Sequence, residues 1–197
     1  MQISVLSSGS KGNSTLLQTK NTKILIDLGV TKSYVEQKLK EIEVEPKNID
    51  AILITHTHVD HIQGLKVFLK KYSPLVYVTT ELKSILEEYD LNANYILYEE
   101  NEANINDIKI TIIKTSHDAP GSVGFVIREN DKSFAYITDT GYIINKYFEL
   151  LKNHNLYIME SNHDVSMLME GNYPHQLKKR ILGNKGHLSN EDAAYYF

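Results

Sequence analysis

The chain has 197 residues, of which 42% are hydrophobic and 23% charged, as expected for a globular protein of one domain. It has no cysteine, which excludes disulfides and thiolate metal ligands. Its net charge is −4, whereas many nucleic-acid-binding proteins carry an excess of basic residues. No apolar run approaches the roughly 20 residues of a membrane span, and the N-terminus does not resemble a signal peptide. We therefore expect a cytoplasmic protein with a single domain over residues 1–197.

The first 50 residues predict a small sheet followed by a helix. Strands are expected at residues 2–6, 15–19 and 23–27. Residues 7–14 are rich in Gly and Ser but lack the Gly-Lys-Ser/Thr of a P-loop, so we interpret them as a hairpin loop. Asp27 ends the third strand and is a candidate cap for the next helix. That helix is expected over residues 31–47, stopping before Pro46.

The segment Thr55–His61, with the sequence Thr-His-Thr-His-Val-Asp-His, places three imidazoles and one carboxylate on a predicted turn. A buried strand is expected just before it, at 50–54, and a helix just after it, at 62–71. Imidazoles and carboxylates are good ligands for zinc and neighbouring first-row metals. His56 and His58 can point to one site, and Asp60 and His61 to a second site nearby. A polar surface loop with chance histidines fits this dense pattern poorly.

The rest of the chain alternates between helices and strands, which argues for an α/β architecture. Helices are expected at 80–89, opened by a threonine cap, and at 143–151. Strands are expected at 74–79, 107–113, 122–127, 132–137 and 156–159. Four strands end in residues that can bind metal, near His56, His117, Asp139 and His163. We expect these strand ends to gather on one rim.

Two clusters of basic residues are candidate phosphate contacts. One consists of Lys178, Lys179, Arg180 and Lys185, close to His187 in the sequence. The other follows the metal motif and consists of Lys66, Lys70 and Lys71. Solvated helix faces are an equally good interpretation of each cluster alone.

The pattern His-x-His-x-Asp-His after an apolar strand resembles the signature of the metallo-β-lactamase fold superfamily. Within it, the chain resembles the YycJ/WalJ (VicX) group, whose members look like DNA exonucleases. This similarity rests on Leu6–Asn13, Thr115–Ala119, Ile137–Tyr142, Glu160–Asp164 and Gly186–Ala194. The resemblance implies an α/β fold, namely a four-layer αββα sandwich with metals at one sheet edge.

The resemblance also implies a centre of two divalent metal ions, zinc by default and manganese as an alternative. His56, His58 and His117 would hold the first ion, and Asp60 and His61 the second. Asp139 would bridge both ions, and Asp27 would support the site from behind its ligands.

The resembled group has one further histidine ligand for the second metal, on a strand that ends in a second His-Leu-Ser. Here the chain stops at Phe197, inside an apparent helix opened by Ser189 or Asn190. We therefore expect a C-terminal part shortened by its last strand and helix. The second site would then lack a ligand unless His187 takes its place.

The function implied by the resemblance is that of a metal-dependent phosphodiesterase, a 5′→3′ DNA exonuclease with a role in DNA repair. It would act through a hydroxide that bridges the metals, oriented by Asp60. His163 and His187 are candidates for proton donation or phosphate binding. A small-molecule hydrolase, such as a thioesterase or lactonase, and a non-catalytic metal-binding regulatory protein remain alternatives. The sequence indicates no membrane association and no protein partner.

Overall fold

The computed structural model describes residues 1–196. Phe197, which the sequence places in the last helix, lies outside the described residues. The chain divides into two compact units, the first comprising Met1–Lys109 and the second beginning at Ile110. The single domain predicted for residues 1–197 stays a prediction. Within residues 1–196, no helix has both the length and the apolar character needed to cross a membrane.

Both units contain strands and helices. The strands that precede the boundary are β1 (Gln2–Ser7), β2 (Ser14–Gln18), β3 (Lys23–Ile26), β4 (Ala51–Leu53), β5 (Leu75–Val78), β6 (Asn94–Leu97) and β7 (Glu102–Ile105). The helices of this part are α1 (Lys32–Glu41), α2 (Val59–Ile62), α3 (Leu65–Leu69) and α4 (Thr80–Glu88). The boundary falls within β8 (Ile108–Lys114), and the remaining elements are β9 (Val123–Glu129), β10 (Lys132–Ile137), β11 (Leu156–Met159), α5 (Val165–Glu170), α6 (His175–Ile181) and α7 (Asn190–Tyr195).

A six-stranded sheet with the order β1-β2-β3-β4-β5-β6 organises the first unit. The first three strands pair antiparallel, and β3 to β6 pair parallel. The residues of β4 are all buried, as expected for a parallel strand covered on both faces. Because parallel strands end at the same edge of a sheet, the residues that follow β3 and β4 are brought together there.

A five-stranded sheet has the order β11-β10-β9-β8-β7. β10 pairs parallel with β11 and antiparallel with β9. A core cluster of Ile113, Ile137, Ile143 and Leu188 packs in the second unit. The predicted α/β class, with mixed sheets and helices, is confirmed.

Local sequence signals predicted most strands to within a residue or two. β1 and β2 pair antiparallel across the Gly- and Ser-rich turn, which confirms the hairpin. Thr79 caps α4, because its Oγ1 accepts the Leu82 N–H at 3.2 Å. α1 begins after its Thr31 cap and ends at Glu41, earlier than predicted, since Glu43 takes a left-handed φ of 58°.

The helix predicted over 143–151 is wrong. The structure has only a short 3-10 turn at Asn145–Tyr147 in this stretch. Ile143 is buried in the core cluster, and Ile144 keeps an extended backbone with φ −69° and ψ 124°. The extended backbone at Ile144 thus leaves one short turn in place of the predicted helix.

The single helix predicted over 62–71 is broken into α2 and α3 at Gly64. The Gly64 N–H donates to the Leu28 carbonyl oxygen at 2.9 Å rather than continuing the helix. A Cβ atom on Gly64 would lie 2.1 Å from the Val30 carbonyl oxygen. The close approach of the chain at Leu28–Val30 thus requires a glycine and redirects the helix.

We expect Gly64→Ala to lower the free energy of unfolding by about 1–3 kcal/mol, because the added methyl group must displace the backbone at Val30. Urea denaturation of the full chain measures this effect. Gln63→Ala is the matched control, since Gln63 is the exposed neighbour in the sequence, and it should change stability by no more than about 0.5 kcal/mol. Equal stabilities of the two variants would contradict the packing argument.

Candidate metal centre

The metal motif runs from the end of β4 into α2, as the sequence predicted. His56 follows the strand and is 1% exposed. His58 immediately precedes α2 and has an extended backbone with φ −63° and ψ 149°. Asp60 and His61 lie within α2, and His61 is fully buried. The motif is therefore held on a strand-to-helix turn that fixes the direction of each side chain.

His56 and His58 converge on one point. The Nε2 atom of His56 lies 3.1 Å from the Nδ1 atom of His58. The two rings meet edge to face, with their centroids 4.6 Å apart. Two imidazole nitrogens at this separation can share one metal ion, whose bonds to histidine nitrogen are about 2.0–2.1 Å long.

Asp60 and His61 form a second pair in the first unit. The His61 Nε2 atom lies 3.7 Å from the Asp60 Oδ2 atom. The Asn13 side-chain amide donates to the same His61 Nε2 at 3.0 Å. Sequence reasoning assigned no role to Asn13, whose only signal was its place in the Leu6–Asn13 segment that resembles the exonuclease group. The turn between β1 and β2 thus contributes a side chain to this site.

Asp27 lies behind these ligands and is fully buried, with a left-handed φ of 59°. Its Oδ1 accepts the Thr55 N–H at 2.8 Å. Its Oδ2 accepts the Thr55 hydroxyl at 2.7 Å and the His61 Nδ1–H at 2.8 Å. The alternative role of Asp27 as a helix cap is wrong, because Thr31 caps α1.

Hydrogen bonds to Asp27 and Thr55 assign the tautomers of two histidines. His61 donates from Nδ1 to Asp27, so its Nε2 carries the lone pair that a metal needs. His56 donates from Nδ1 to the Thr55 hydroxyl at 3.1 Å, which also leaves Nε2 as the acceptor. One buried carboxylate therefore prepares both imidazoles, directly or through Thr55, to bind a cation.

His117 follows β8 and is 7% exposed. Its Nδ1–H donates to the Gly186 carbonyl oxygen at 3.2 Å, which again leaves Nε2 for a ligand. That Nε2 lies 3.5 Å from the Asp118 Oδ1 atom. Burial lowers the pKa of His117, although the nearby Asp139 charge opposes the shift. His117 thus has the neutral ring that metal binding requires.

Asp139, Glu160 and His187 form a cluster at the strand ends of the second unit. The His187 Nδ1–H donates to Glu160 Oε1 at 2.6 Å and lies 3.4 Å from Asp139 Oδ1. Glu160 Oε2 accepts the backbone N–H groups of Thr140 and Leu188, at 2.9 and 3.2 Å. Burial alone would lower the pKa of His187, but the Glu160 hydrogen bond and the two carboxylate charges outweigh it and raise the pKa.

Glu160, like Asn13, is a residue of the candidate site that the sequence did not predict. It belongs to the Glu160–Asp164 segment that resembles the exonuclease group, but no role was assigned to it. Glu160 directly follows β11, and Asp139 follows β10 after one intervening residue. β10 and β11 pair parallel. Because parallel strands end at the same edge of a sheet, a prediction that β10 and β11 pair parallel would have placed Glu160 near Asp139.

His163 stands apart from this cluster in its hydrogen bonding. Both of its ring nitrogens are buried, yet neither has a hydrogen-bond partner among residues 1–196. Burial, followed by the charge of His187, lowers its pKa. Its backbone bridges to Ser189, and its carbonyl oxygen accepts the Asn190 N–H at 2.9 Å. Of the two candidate proton donors, only His187 is held by a carboxylate.

The donor atoms in both units suit a divalent metal ion. They are imidazole nitrogens and carboxylate oxygens, which zinc and manganese both accept. The histidines have their Nδ1 protons committed to acceptors, as at His56, His61 and His117. These second hydrogen bonds fix ring orientation and are typical of metal-ligating histidines.

Residues 22–197 match the family model of the beta-lactamase superfamily domain. The exodeoxyribonuclease WalJ of Streptococcus pneumoniae (strain R6) is 39% identical over 197 residues, covering 97% of this chain and 73% of that protein. The exodeoxyribonuclease YycJ of Bacillus anthracis is 35% identical over 198 residues, covering 98% of this chain and 75% of that protein.

Solved structures show the same fold at low identity. Human tRNase Z, short form, has a TM-score of 0.72 at 17% identity, covering 100% of this chain and 87% of its own. The metallo-beta-lactamase fold protein YhfI of Bacillus subtilis has a TM-score of 0.74 at 16% identity, covering 98% of this chain and 80% of its own. The predicted metallo-β-lactamase fold is confirmed, and this family implies divalent metal ions. The chain belongs to the beta-lactamase superfamily, in the group that includes the exodeoxyribonucleases WalJ and YycJ.

Proposed function

We propose that this chain is a metal-dependent phosphodiesterase that degrades DNA from an end, as a 5′→3′ exonuclease. The observation that carries the proposal is the hydrogen bond of His187 to Glu160, beside Asp139. A sugar oxygen leaves poorly unless it receives a proton, and His187 is held as the donor of one. The identity of 39% to WalJ supports DNA as the substrate.

We assign the metal ligands of this proposal as the sequence predicted them. His56, His58 and His117 would hold one divalent ion, Asp60 and His61 would hold a second, and Asp139 would be a ligand shared by both. When bound, the ions supply a hydroxide nucleophile at neutral pH and stabilise negative charge on the phosphate. Zinc is the default for a site rich in histidine, and manganese is the alternative.

His187 acts in this proposal as the proton donor rather than as the last ligand of the second metal. The Glu160 and Asp139 carboxylates raise the pKa of His187 and so favour the protonated ring, the form that can donate a proton. Glu160 accepts at Nδ1, so the proton delivered to the leaving 3′-oxygen is the one at Nε2. We assign no proton transfer to His163, since burial lowers its pKa and its ring makes no hydrogen bond within the described residues; its role as a phosphate contact stays a prediction.

A thioesterase is less compatible with this arrangement, because a thiolate leaves without protonation far more readily than an alkoxide. A thiol has a pKa of about 8.5, so the Glu160–His187 pair would have little to contribute to thioester cleavage. A non-catalytic regulatory protein would have no use for a proton donor. The cytoplasmic location is part of the proposal, because cellular DNA is the proposed substrate.

We expect His58→Ala and Asp60→Ala each to slow degradation of end-labelled linear duplex DNA by at least about a hundredfold, because each removes a metal ligand. Gel analysis of the metal-loaded protein gives both the rate and the direction of degradation. Asp131→Ala is the control, since Asp131 is exposed in the turn between β9 and β10. Thioester turnover without DNA degradation, by wild-type protein that binds two metals, would move the assignment to a small-molecule hydrolase.

We expect Asp27→Asn to weaken metal binding about 10–100-fold, because an amide cannot accept hydrogen bonds from Thr55 and His61 in the same way. Calorimetric titration of the apo protein with zinc or manganese measures the affinity. Asp107→Asn is the matched control, since Asp107 also accepts hydroxyl hydrogen bonds, from Thr19 and Thr22, but does not contact the motif. Equal metal affinities of the two variants would refute a supporting role for Asp27.

We expect Glu160→Gln to slow DNA degradation about 10²–10⁴-fold, the usual contribution of general acid catalysis. The same variant should hydrolyse bis(p-nitrophenyl) phosphate almost as fast as wild type, because p-nitrophenolate leaves without a proton. Comparing the two substrates separates proton donation from a structural defect. A similar loss on both substrates would contradict the role of His187 as the acid.

A further inference from the structure

The segment from α5 to His187 is unusually basic for this chain. Residues 165–185 include four basic residues and one acidic residue, whereas the whole chain has a net charge of −4. Three of the basic residues, Lys178, Lys179 and Arg180, lie in the last turn of α6. Lys185 follows in the loop that leads to His187. Positive charge is therefore concentrated in the residues that precede His187, the proposed proton donor.

Hydrogen bonds hold the end of α6 beside the ligand residues of the second unit. Arg180 Nε donates to Asp118 Oδ2 at 2.6 Å, next to His117. The Gly186 carbonyl oxygen accepts from His117 itself. The His187 N–H then donates back to a carbonyl oxygen in the last turn of α6, at 2.9 Å. A strand of nucleic acid that reaches His187 would have this helix end within reach.

The four basic residues differ in whether their side chains already have a partner within the protein. Arg180 pairs with Asp118, and Lys178 Nζ donates to the Met169 carbonyl oxygen at 2.6 Å. Lys179 and Lys185 are exposed, and within residues 1–196 neither forms an ion pair with a carboxylate. These two lysines are thus the ones available to phosphate groups in solution.

Exposed apolar side chains accompany the positive charge. Tyr173, in the connection between α5 and α6, is 58% exposed, and Met167 on α5 is 74% exposed. Exposed lysines and an exposed aromatic ring in one segment are groups that bind single-stranded nucleic acid, because the backbone meets cations while a base stacks on the ring.

We propose that the α5–α6 segment binds the strand that is being degraded, next to the scissile phosphodiester. Lys179 and Lys185 contact backbone phosphates, and Tyr173 stacks on an unpaired base near the end of the strand. α6 is about 10 Å long, so the contacts extend over only a few nucleotides. This inference rests on the proposed function, since it assumes that the substrate is DNA.

Binding of a fluorescein-labelled single-stranded oligonucleotide tests the inference, measured by anisotropy over a range of salt concentrations. The full chain carrying His58→Ala is used so that the oligonucleotide stays intact. Adding Lys179→Gln with Lys185→Gln should reduce the slope of log affinity against log salt by about 1.4, for two lost phosphate contacts. Adding Tyr173→Ala should weaken binding about fivefold or more, and Tyr173→Phe should not.

The charge-matched control combines Lys132→Gln with Lys152→Gln. Both lysines are exposed in the second unit, and Lys132 begins β10 whereas Asp139 lies beyond its other end. This pair loses the same two charges and should leave the salt slope nearly unchanged. Equal slopes for the two double variants would overturn the inference, because they would show only an effect of net charge.

Enzyme assays of the same substitutions in the chain with His58 intact separate this inference from the proposed function. Lys179→Gln with Lys185→Gln should slow DNA degradation but hydrolyse bis(p-nitrophenyl) phosphate at the wild-type rate. If wild type degrades no DNA, the proposed function fails. If wild type degrades DNA and the double variant matches it in both rate and salt slope, only the role of the α5–α6 segment fails.

Discussion

The buried carboxylate of Asp27 is the constraint on which the first unit depends. An ionised carboxylate without water is stable only when hydrogen bonds replace its hydration. Thr55 supplies its N–H and its hydroxyl, and His61 supplies its Nδ1–H. These contacts tie the end of β3 to the end of β4 and to α2. The hydrogen bonds that satisfy Asp27 also fix the orientation of the His61 ring directly and, through Thr55, that of the His56 ring.

Glu160 occupies a comparable place in the second unit and has a different chemical effect. It too lies just after a parallel strand, and two backbone N–H groups and one imidazole satisfy it. Asp27 leaves the outer nitrogen of His61 as an acceptor suited to a cation. Glu160 instead accepts the Nδ1–H of His187 and, with the neighbouring Asp139, raises the pKa of that ring. In the proposed function, similar carboxylate positions thus serve a metal ligand in one unit and a proton donor in the other.

The sequence was sufficient to predict those features that depend on residues close together along the chain. The hairpin, the Thr79 cap and the strand-to-helix placement of the metal motif all follow from short-range spacing. The break at Gly64 and the role of Asn13 were missed, because each depends on residues far away along the chain. Asn13 contacts His61 across 48 positions, and Gly64 is required by the backbone near Val30. The place of Glu160 beside Asp139 could not be predicted from local sequence, because it depends on the pairing of β10 with β11.

Asp27 and Asp139 both adopt left-handed backbone, with φ of 59° and 51°. Aspartate adopts this conformation more readily than most residues, because its short side chain can hydrogen-bond to nearby groups. A glycine at Asp27 would relax the backbone, but it would also leave the buried donors of Thr55 and His61 without their acceptor.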